Sequence, residues 1–245
     1  MYIFAALLYN YSFNNKGNCM SNFKVIVADE SHLKFVNDIL VTIEESARVR
    51  GTGIAKRKPE YVEAKMKEGK AIIALKDDDF AGFCYIESWG HGQFVANSGL
   101  IVKPEHRGAG LAKQIKQATF NLSRRKFPQA KIFGLTTGLA VMKINSALGY
   151  RPVTFSELTT DDAFWDGCQS CVNYDILTRT KRKNCLCTGM LYDPEWEKDK
   201  ETKPVTKRKP HSLQVYGRWF RFKYYVLRGI KKSKAMLSKT KKKAA

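Results

Sequence analysis

Apolar and polar residues alternate along Phe23–Ala28, and the spacing then changes to that of a helix. The alternation predicts a β-strand. Apolar residues then recur every three or four positions, which predicts an amphipathic helix ending near Arg48. These residues are Leu33, Val36, Ile39, Leu40 and Ile43. A second helix is predicted from Pro59 to Gly69, since proline suits a first helical turn and glycine suits the residue after a last turn.

Three further strands follow in the sequence. The apolar runs Ala71–Leu75 and Phe80–Ser88 flank the turn residues Asp77–Asp79, a pattern that predicts a hairpin. A glycine-rich loop around His91 leads into the third run, Val95–Val102. The three runs predict neighbouring antiparallel strands.

The second half of the domain alternates helices and strands. A helix is predicted from Gly110 to the residues before Pro128, with one apolar stripe along it. The remaining predicted elements are the strand Lys131–Thr137, the helix Leu139–Leu148, and the strands Tyr150–Phe155 and Val172–Leu177. The whole order predicts an α/β fold with a mixed, mostly antiparallel central sheet of about six or seven strands flanked by helices.

Composition and charge divide the chain into parts. Hydrophobic residues make up 44% of the 245 residues, and the formal net charge is +20. Residues 195–245 hold 17 Lys and Arg against 4 Asp and Glu, so most of the excess lies in a basic, aromatic tail. We expect a globular domain over residues 22–194. The tail is either a nucleic-acid or anionic-surface contact, or a packed helix with a solvated basic face.

The N-terminal segment, residues 1–21, is predicted to be a disordered extension or an upstream start, because Met20 directly precedes the first strand. It lacks the basic region and the cleavage site of a secretory signal, which favours a cytoplasmic protein. No run approaches the roughly 18 to 20 apolar residues that a membrane span needs, so we expect no transmembrane segment.

The loop between the third hairpin strand and the following helix indicates an anion-binding site. It reads Arg107-Gly108-Ala109-Gly110-Leu111-Ala112. The first amides of a helix lack intrahelical acceptors, and glycines let a backbone approach a phosphate group closely. No Gly-Lys-Ser/Thr follows, so the pattern disfavours nucleotide hydrolysis.

This loop, read as Arg107-x-x-Gly110-x-Ala112, resembles the R/Q-x-x-G-x-G/A loop of the GNAT acyl-CoA-dependent N-acetyltransferases. The corner Leu148-Gly149-Tyr150 resembles the family's Leu-Gly-Phe/Tyr, and the resemblance spans about Phe23 to Phe155. Longer stretches, including GLTTGLAVMKINSALGYRPVTFSEL, resemble a bacterial subgroup associated with arginine biosynthesis that acylates glutamate.

The resemblance implies an enzyme that moves an acyl group directly from acetyl-CoA or another acyl-CoA, such as succinyl-CoA, to an amine. It implies that the amides of Gly108, Ala109, Gly110, Leu111 and Ala112, with Arg107, hold the pyrophosphate. Main-chain groups near Leu100 and Val102 would hold the pantetheine arm and the thioester carbonyl, where a donor stabilises the developing oxyanion. Direct attack needs no cysteine nucleophile.

Two positions depart from the family pattern. Many members carry a tyrosine acid four residues before the glycine of the corner, where this chain has Asn145, which cannot supply a proton. Many also carry a glutamate on the strand before the loop, where this chain has Asn97 and Ser98. We therefore take Glu87 and then His91 as candidate bases, with Asn145 as a hydrogen-bonding residue near the thioester.

The segment after the first helix is expected to cover the acceptor amine. It is rich in arginine, and Arg50 and Arg57 are candidates for binding a carboxylate. The acceptor is then a small acidic amino acid, with glutamate as the best candidate. The alternatives are a protein or peptide acetyltransferase recruited by the basic tail, a non-catalytic CoA-binding module, and a solvated basic loop with no binding role.

Four cysteines lie close together in the sequence, at Cys168, Cys171, Cys185 and Cys187. Their spacing fits either a structural zinc site or buried thiols, because the first pair is well spaced for zinc and the second pair is unusual. No metal is expected among the catalytic residues.

Overall fold

The computed structural model describes residues 23–50 and 56–197, except for the side chain of Arg50. The predicted extension, residues 198–245 of the predicted basic tail and residues 51–55 of the cover segment lie outside the described residues. The strands are β1 Phe23–Val27, β2 Ala71–Lys76, β3 Asp79–Trp89, β4 Phe94–Val102, β5 Lys131–Thr136, β6 Arg151–Val153 and β7 Thr188–Tyr192. The helices are α1 Val36–Arg50, α2 Pro59–Lys67, α3 Leu111–Lys126, α4 Leu139–Ala147, α5 Asp162–Asp166 and α6 Tyr174–Arg179.

All seven strands form one sheet in the order β1-β2-β3-β4-β5-β7-β6. The pair β4 and β5 is parallel, and the other five pairs are antiparallel. The prediction of a mixed, mostly antiparallel sheet flanked by helices is confirmed.

The sheet is covered on both faces, and strand β2 shows why. Ile72 and Ala74 point into the cluster formed with α3, whereas Ile73 and Leu75 point into the cluster formed with α1 and α2. Successive side chains of a strand face opposite sides, so a strand with two covered faces reads as a continuous apolar run.

The last predicted strand is wrong. Residues 172–177 alternate in polarity, but the structure has helix α6 there, with Val172 exposed and Leu177 buried. Leu177 packs in a cluster with Phe133 and Leu191, so tertiary contacts override the local pattern. The missing strand is β7, which lies between β5 and β6, and β6 is only three residues long.

Candidate functional site

A cavity of about 570 Å³ opens where strands β4 and β5 separate. The two strands are paired only over Phe94–Ala96 and Lys131–Phe133, although both continue beyond this point. From Asn97 and Gly134 onward their facing edges are free, and both residues line the cavity. Unpaired strand edges present amide and carbonyl groups to whatever enters between them.

A β-bulge shapes the β4 side of this opening. Phe83 pairs with Ile101 and Tyr85 pairs with Ser98, so β4 has one residue more than β3 in this stretch. Gly99 takes the left-handed conformation, with φ +67, and lies against the Tyr85 ring. Leu100, in the bulge, lines the cavity, whereas Val102 is buried and paired with Gly82.

The loop before α3 has the geometry of an anion site. Gly108 and Gly110 have φ values of +84 and +77, which favour glycine. Within the described chain, no backbone acceptor is bonded to the amides of residues 108–112. Arg107 anchors the loop, since its Nε donates to the Val102 carbonyl at 3.1 Å and its guanidinium also donates to Ser46.

Glu87 lines the cavity and is held by two neighbours from α2. Its Oε1 accepts a hydrogen bond from Lys65 Nζ at 2.6 Å, and its Oε2 accepts one from the Tyr61 hydroxyl. Both hydrogen bonds hold the carboxylate in a fixed position. A carboxylate has about four acceptor sites, so it can still receive a proton donor from the cavity.

Arg57 lines the same cavity, which is the position that the predicted role in acceptor binding would require. Its Nε donates to the buried hydroxyl of Tyr85 at 2.6 Å, and its guanidinium lies 5.6 Å from the Tyr61 ring centroid. These contacts fix the guanidinium plane before a ligand arrives. The side chain of Arg50, the other candidate, lies outside the described part of the structure.

His91 is not brought to the cavity. It lies exposed in the turn between β3 and β4, with φ +55, and is not among the residues that line the opening. Its position gives no support to the hypothesis that it is the base, which leaves Glu87 as the base candidate at the site.

The sequence analysis did not identify Lys116 as a site residue. It lies in α3 with 2% of its surface exposed, lines the cavity, and donates from Nζ to Asn97 Oδ1 at 3.0 Å. The Tyr150 hydroxyl donates to the same oxygen at 2.8 Å. Burial lowers the pKa of Lys116 to about 8, an effect that Cys84 partly offsets. The signal was a lysine one residue after Ile115, on the buried face of an otherwise apolar stripe.

Three buried polar atoms of the described residues have no hydrogen-bond partner, and the residues that carry them all line this cavity. They are Trp89 Nε1, Asn145 Oδ1 and Asn173 Nδ2. Buried polar groups are nearly always satisfied, so unpaired ones in a cavity indicate where a ligand binds. Asn145, which the sequence placed near the thioester, is 1% exposed and therefore faces the cavity rather than solvent.

The four clustered cysteines form part of the cavity wall, and every cysteine in the described residues is free. Burial raises the pKa of Cys168 to about 11 and that of Cys187 to about 12, so both are neutral thiols near pH 7. Neutral thiols are weak nucleophiles. In the described part of the chain, no group of three or more His, Cys, Asp or Glu side chains is arranged to hold a metal ion.

Residues 39–139 match the model of the Acetyltransferase (GNAT) family. The fold is similar to that of N-acetylglutamate synthase from Neisseria gonorrhoeae, solved with coenzyme A and N-acetyl-glutamate, with a TM-score of 0.52 and 13% identity. That match covers 71% of this chain and 36% of the synthase, so this chain spans about a third of the synthase's length.

The protein Rv2747 from Mycobacterium tuberculosis, solved in complex with CoA, has a TM-score of 0.50 and 16% identity. That match covers 69% of this chain and 98% of Rv2747.

No curated protein matches the chain in sequence. In the described residues, no helix is long and apolar enough to cross a membrane. The separated strands, the loop before α3 and the match over residues 39–139 together show a GNAT-type fold, and they support an N-acetyltransferase whose co-substrate is an acyl-CoA.

Proposed function

We propose that this enzyme acylates the amino group of a small acidic amino acid, with glutamate as the leading candidate. The observation that carries the proposal is the charge and hydrogen-bonding character of the cavity beyond the separated strands. Four cationic side chains line the cavity against two acidic ones, and one of the acidic ones, Glu87, is already neutralised by Lys65. The cavity therefore favours an anionic ligand.

The donors in this region suit a carboxylate. Trp89 Nε1 and Asn173 Nδ2 are buried hydrogen-bond donors without acceptors, and Arg57 presents a guanidinium held in place by Tyr85. An arginine fork with neighbouring N–H donors matches the two oxygens of a carboxylate group. The Neisseria synthase, which was solved with N-acetyl-glutamate, lends support for glutamate within this class.

The acyl-CoA occupies the opening between β4 and β5 in this proposal. Its pyrophosphate accepts hydrogen bonds from the free amides of residues 108–112 at the positive end of α3. Its pantetheine arm lies along the bulged edge of β4 beside Leu100. The amine of the acceptor approaches from the side of Glu87, whose carboxylate receives a hydrogen bond from the ammonium and orients it.

The test is thiol release from acetyl-CoA and succinyl-CoA with glutamate, aspartate, glutamine, spermidine and a lysine peptide. We expect turnover with glutamate to exceed that with glutamine by about tenfold or more, since a site built for a charged group leaves donors unpaired around a neutral one. Turnover confined to the peptide would refute the proposal and favour a protein acetyltransferase.

Arg57→Met gives a second readout. We expect it to raise KM for the acidic acceptor by about tenfold or more, with KM for acyl-CoA changed by less than about threefold. Arg125→Met, an exposed position on α3, is the matched control and should leave both constants unchanged. Equal effects of the two substitutions would count against Arg57 as an acceptor-binding residue.

A further inference from the structure

The opening between β4 and β5 determines where the thioester of a bound acyl-CoA lies. Residues 108–112 follow β4 after five residues, and Arg107 ties this loop to the Val102 carbonyl at the end of the strand, so the pyrophosphate lies beyond that end. The free edge of β4 runs back from Val102 to Asn97, about 17 Å at about 3.3 Å per residue. An extended pantetheine arm has a comparable length, and its amides can pair with a free strand edge.

The thioester therefore reaches the closed end of the opening, next to Asn97. This step rests on the placement of acyl-CoA proposed above and does not depend on the identity of the acceptor.

The closed end of the opening contains a buried cation. Lys116 projects from α3 to Asn97 Oδ1, and its ammonium lies 5.1 Å from the ring centroid of Tyr150. An ammonium has three N–H donors, and Asn97 Oδ1 is its one hydrogen-bond acceptor within the described residues. None of the carboxylates described there lies within ion-pair distance of it.

We propose that Lys116 is the general acid of this enzyme and donates a proton to the CoA sulfur. The acceptor amine forms a C–N bond with the thioester carbonyl carbon, and the C–S bond breaks. The electron pair of the broken bond stays on sulfur and takes a proton from Lys116 Nζ, which yields the free thiol of CoA. The neutral lysine then regains a proton from water, while the acceptor nitrogen loses one.

The neighbouring groups are worse proton donors. Asn145, at the position where many family members carry a tyrosine, has no acidic proton. Cys84 from β3 and Tyr150 from the corner before β6 are the titratable groups that face Lys116, and burial raises the pKa of each. Burial has the opposite effect on the lysine, whose pKa of about 8 is close to the roughly 8.5 of an ordinary thiol. An acid and a base of similar pKa exchange a proton efficiently.

The first test compares Lys116→Met with Lys113→Met, an exposed lysine on the same helix. The reaction uses whichever amine supports the highest turnover by the unmodified enzyme. We expect Lys116→Met to lower kcat by about 100-fold or more, with KM for acyl-CoA within about threefold and Tm at or above the original value. Lys113→Met should match the unmodified enzyme. A kcat for Lys116→Met within about threefold of the original would overturn the proposal.

The pH profile separates a proton donor from a packing residue. Lys116 is protonated below its pKa, so kcat of the unmodified enzyme should fall as pH rises above about 8. Lys116→Met should lose this basic limb, since it has no proton to lose. A limb that survives in Lys116→Met would assign the titration to another group and refute the role.

A last measurement needs neither an acceptor nor a variant. We would titrate the thiol of CoA bound to the unmodified protein by the ultraviolet absorbance of its thiolate. A neighbouring ammonium stabilises the thiolate, so the bound thiol should have a lower pKa than free CoA. A bound thiol that titrates at or above the pKa of free CoA would refute the proposal. Failure of every acceptor in the turnover assay would instead count against the proposed acceptor class.

Discussion

Substitution of Gly99 by alanine should destabilise the protein and weaken CoA binding, because this glycine forms the bulge in β4. An added Cβ would lie 2.7 Å from Tyr85 Cε1 and 3.0 Å from Cδ1. The Tyr85 ring cannot easily withdraw, because it is 1% exposed and its hydroxyl is bonded to Arg57 Nε. The main chain at Gly99 also has φ +67, where residues with a Cβ are strained.

The expected loss is the sum of two effects. The left-handed conformation costs a non-glycine residue about 1 to 2 kcal/mol, and overpacking a buried site costs about 1 to 3 kcal/mol. Gly99→Ala should therefore lower the free energy of unfolding by about 2 to 5 kcal/mol. Gly92 is the matched control, because it has φ +85 in the turn between β3 and β4 and nothing lies within 4 Å of its added Cβ. Gly92→Ala should lose only the conformational part.

The assay is urea unfolding of both variants, together with calorimetric titration of CoA. We expect Gly99→Ala to be less stable than Gly92→Ala by about 1 to 3 kcal/mol, with CoA affinity lowered only in Gly99→Ala. Equal stabilities would show that the ring moves aside freely. Unchanged CoA affinity in Gly99→Ala would show that the bulge does not shape the opening, and would refute the reasoning from the strand register.

Three further substitutions test separate parts of the cavity. Glu87→Gln should lower kcat by about 100-fold and raise KM for the acceptor, and steady-state kinetics with both constants unchanged would remove Glu87 from the site. Asn173→Asp should raise KM for an acidic acceptor by about tenfold, because a carboxylate replaces a buried donor. Lys116→Met should raise the free energy of unfolding at pH 7 by about 3 kcal/mol. The burial that lowers the pKa of the lysine from 10.5 to about 8 disfavours its charged form, and each pKa unit corresponds to about 1.4 kcal/mol. This gain should shrink between pH 8 and 10.5 in urea titrations, since the unfolded chain binds more protons there and the unmodified protein becomes relatively more stable.

The elements that carry the site were predictable because their sequence patterns are local. The loop at residues 107–112 lies between an apolar strand and an amphipathic helix, and the structure places it there with free amides. Glu87 was assigned to the strand next to β4, and it lines the cavity. In both cases the side chain's position follows from its own element and from the neighbouring strand.

The missed features depend on contacts between distant segments. The helix at Tyr174–Arg179 and the strand at Thr188–Tyr192 could not be separated by local alternation, because both segments are short and partly apolar. The sequence could not place Trp89 in the cavity wall, because that placement depends on the position of α5 and of the residues after it. These residues close the cavity from a distant part of the chain. Lys116 looked like one charge among many in a basic helix, until the structure placed it against Asn97.

The pairing of Lys116 with an amide, rather than with a carboxylate, is what suits it to proton donation. Asn97→Asp would place an anion 3.0 Å from the ammonium in a buried site. An opposite charge favours the protonated lysine, so its pKa should rise and its proton should become harder to transfer. We therefore expect Asn97→Asp to lower kcat and to move the basic limb of the pH profile above about 8. Ser123 accepts from Asn97 Nδ2 and donates to the Thr119 carbonyl, and its hydroxyl can turn from that carbonyl to the new carboxylate, so the fold should persist. A limb that stays in place in a folded Asn97→Asp enzyme would mean that the titrating group is not Lys116.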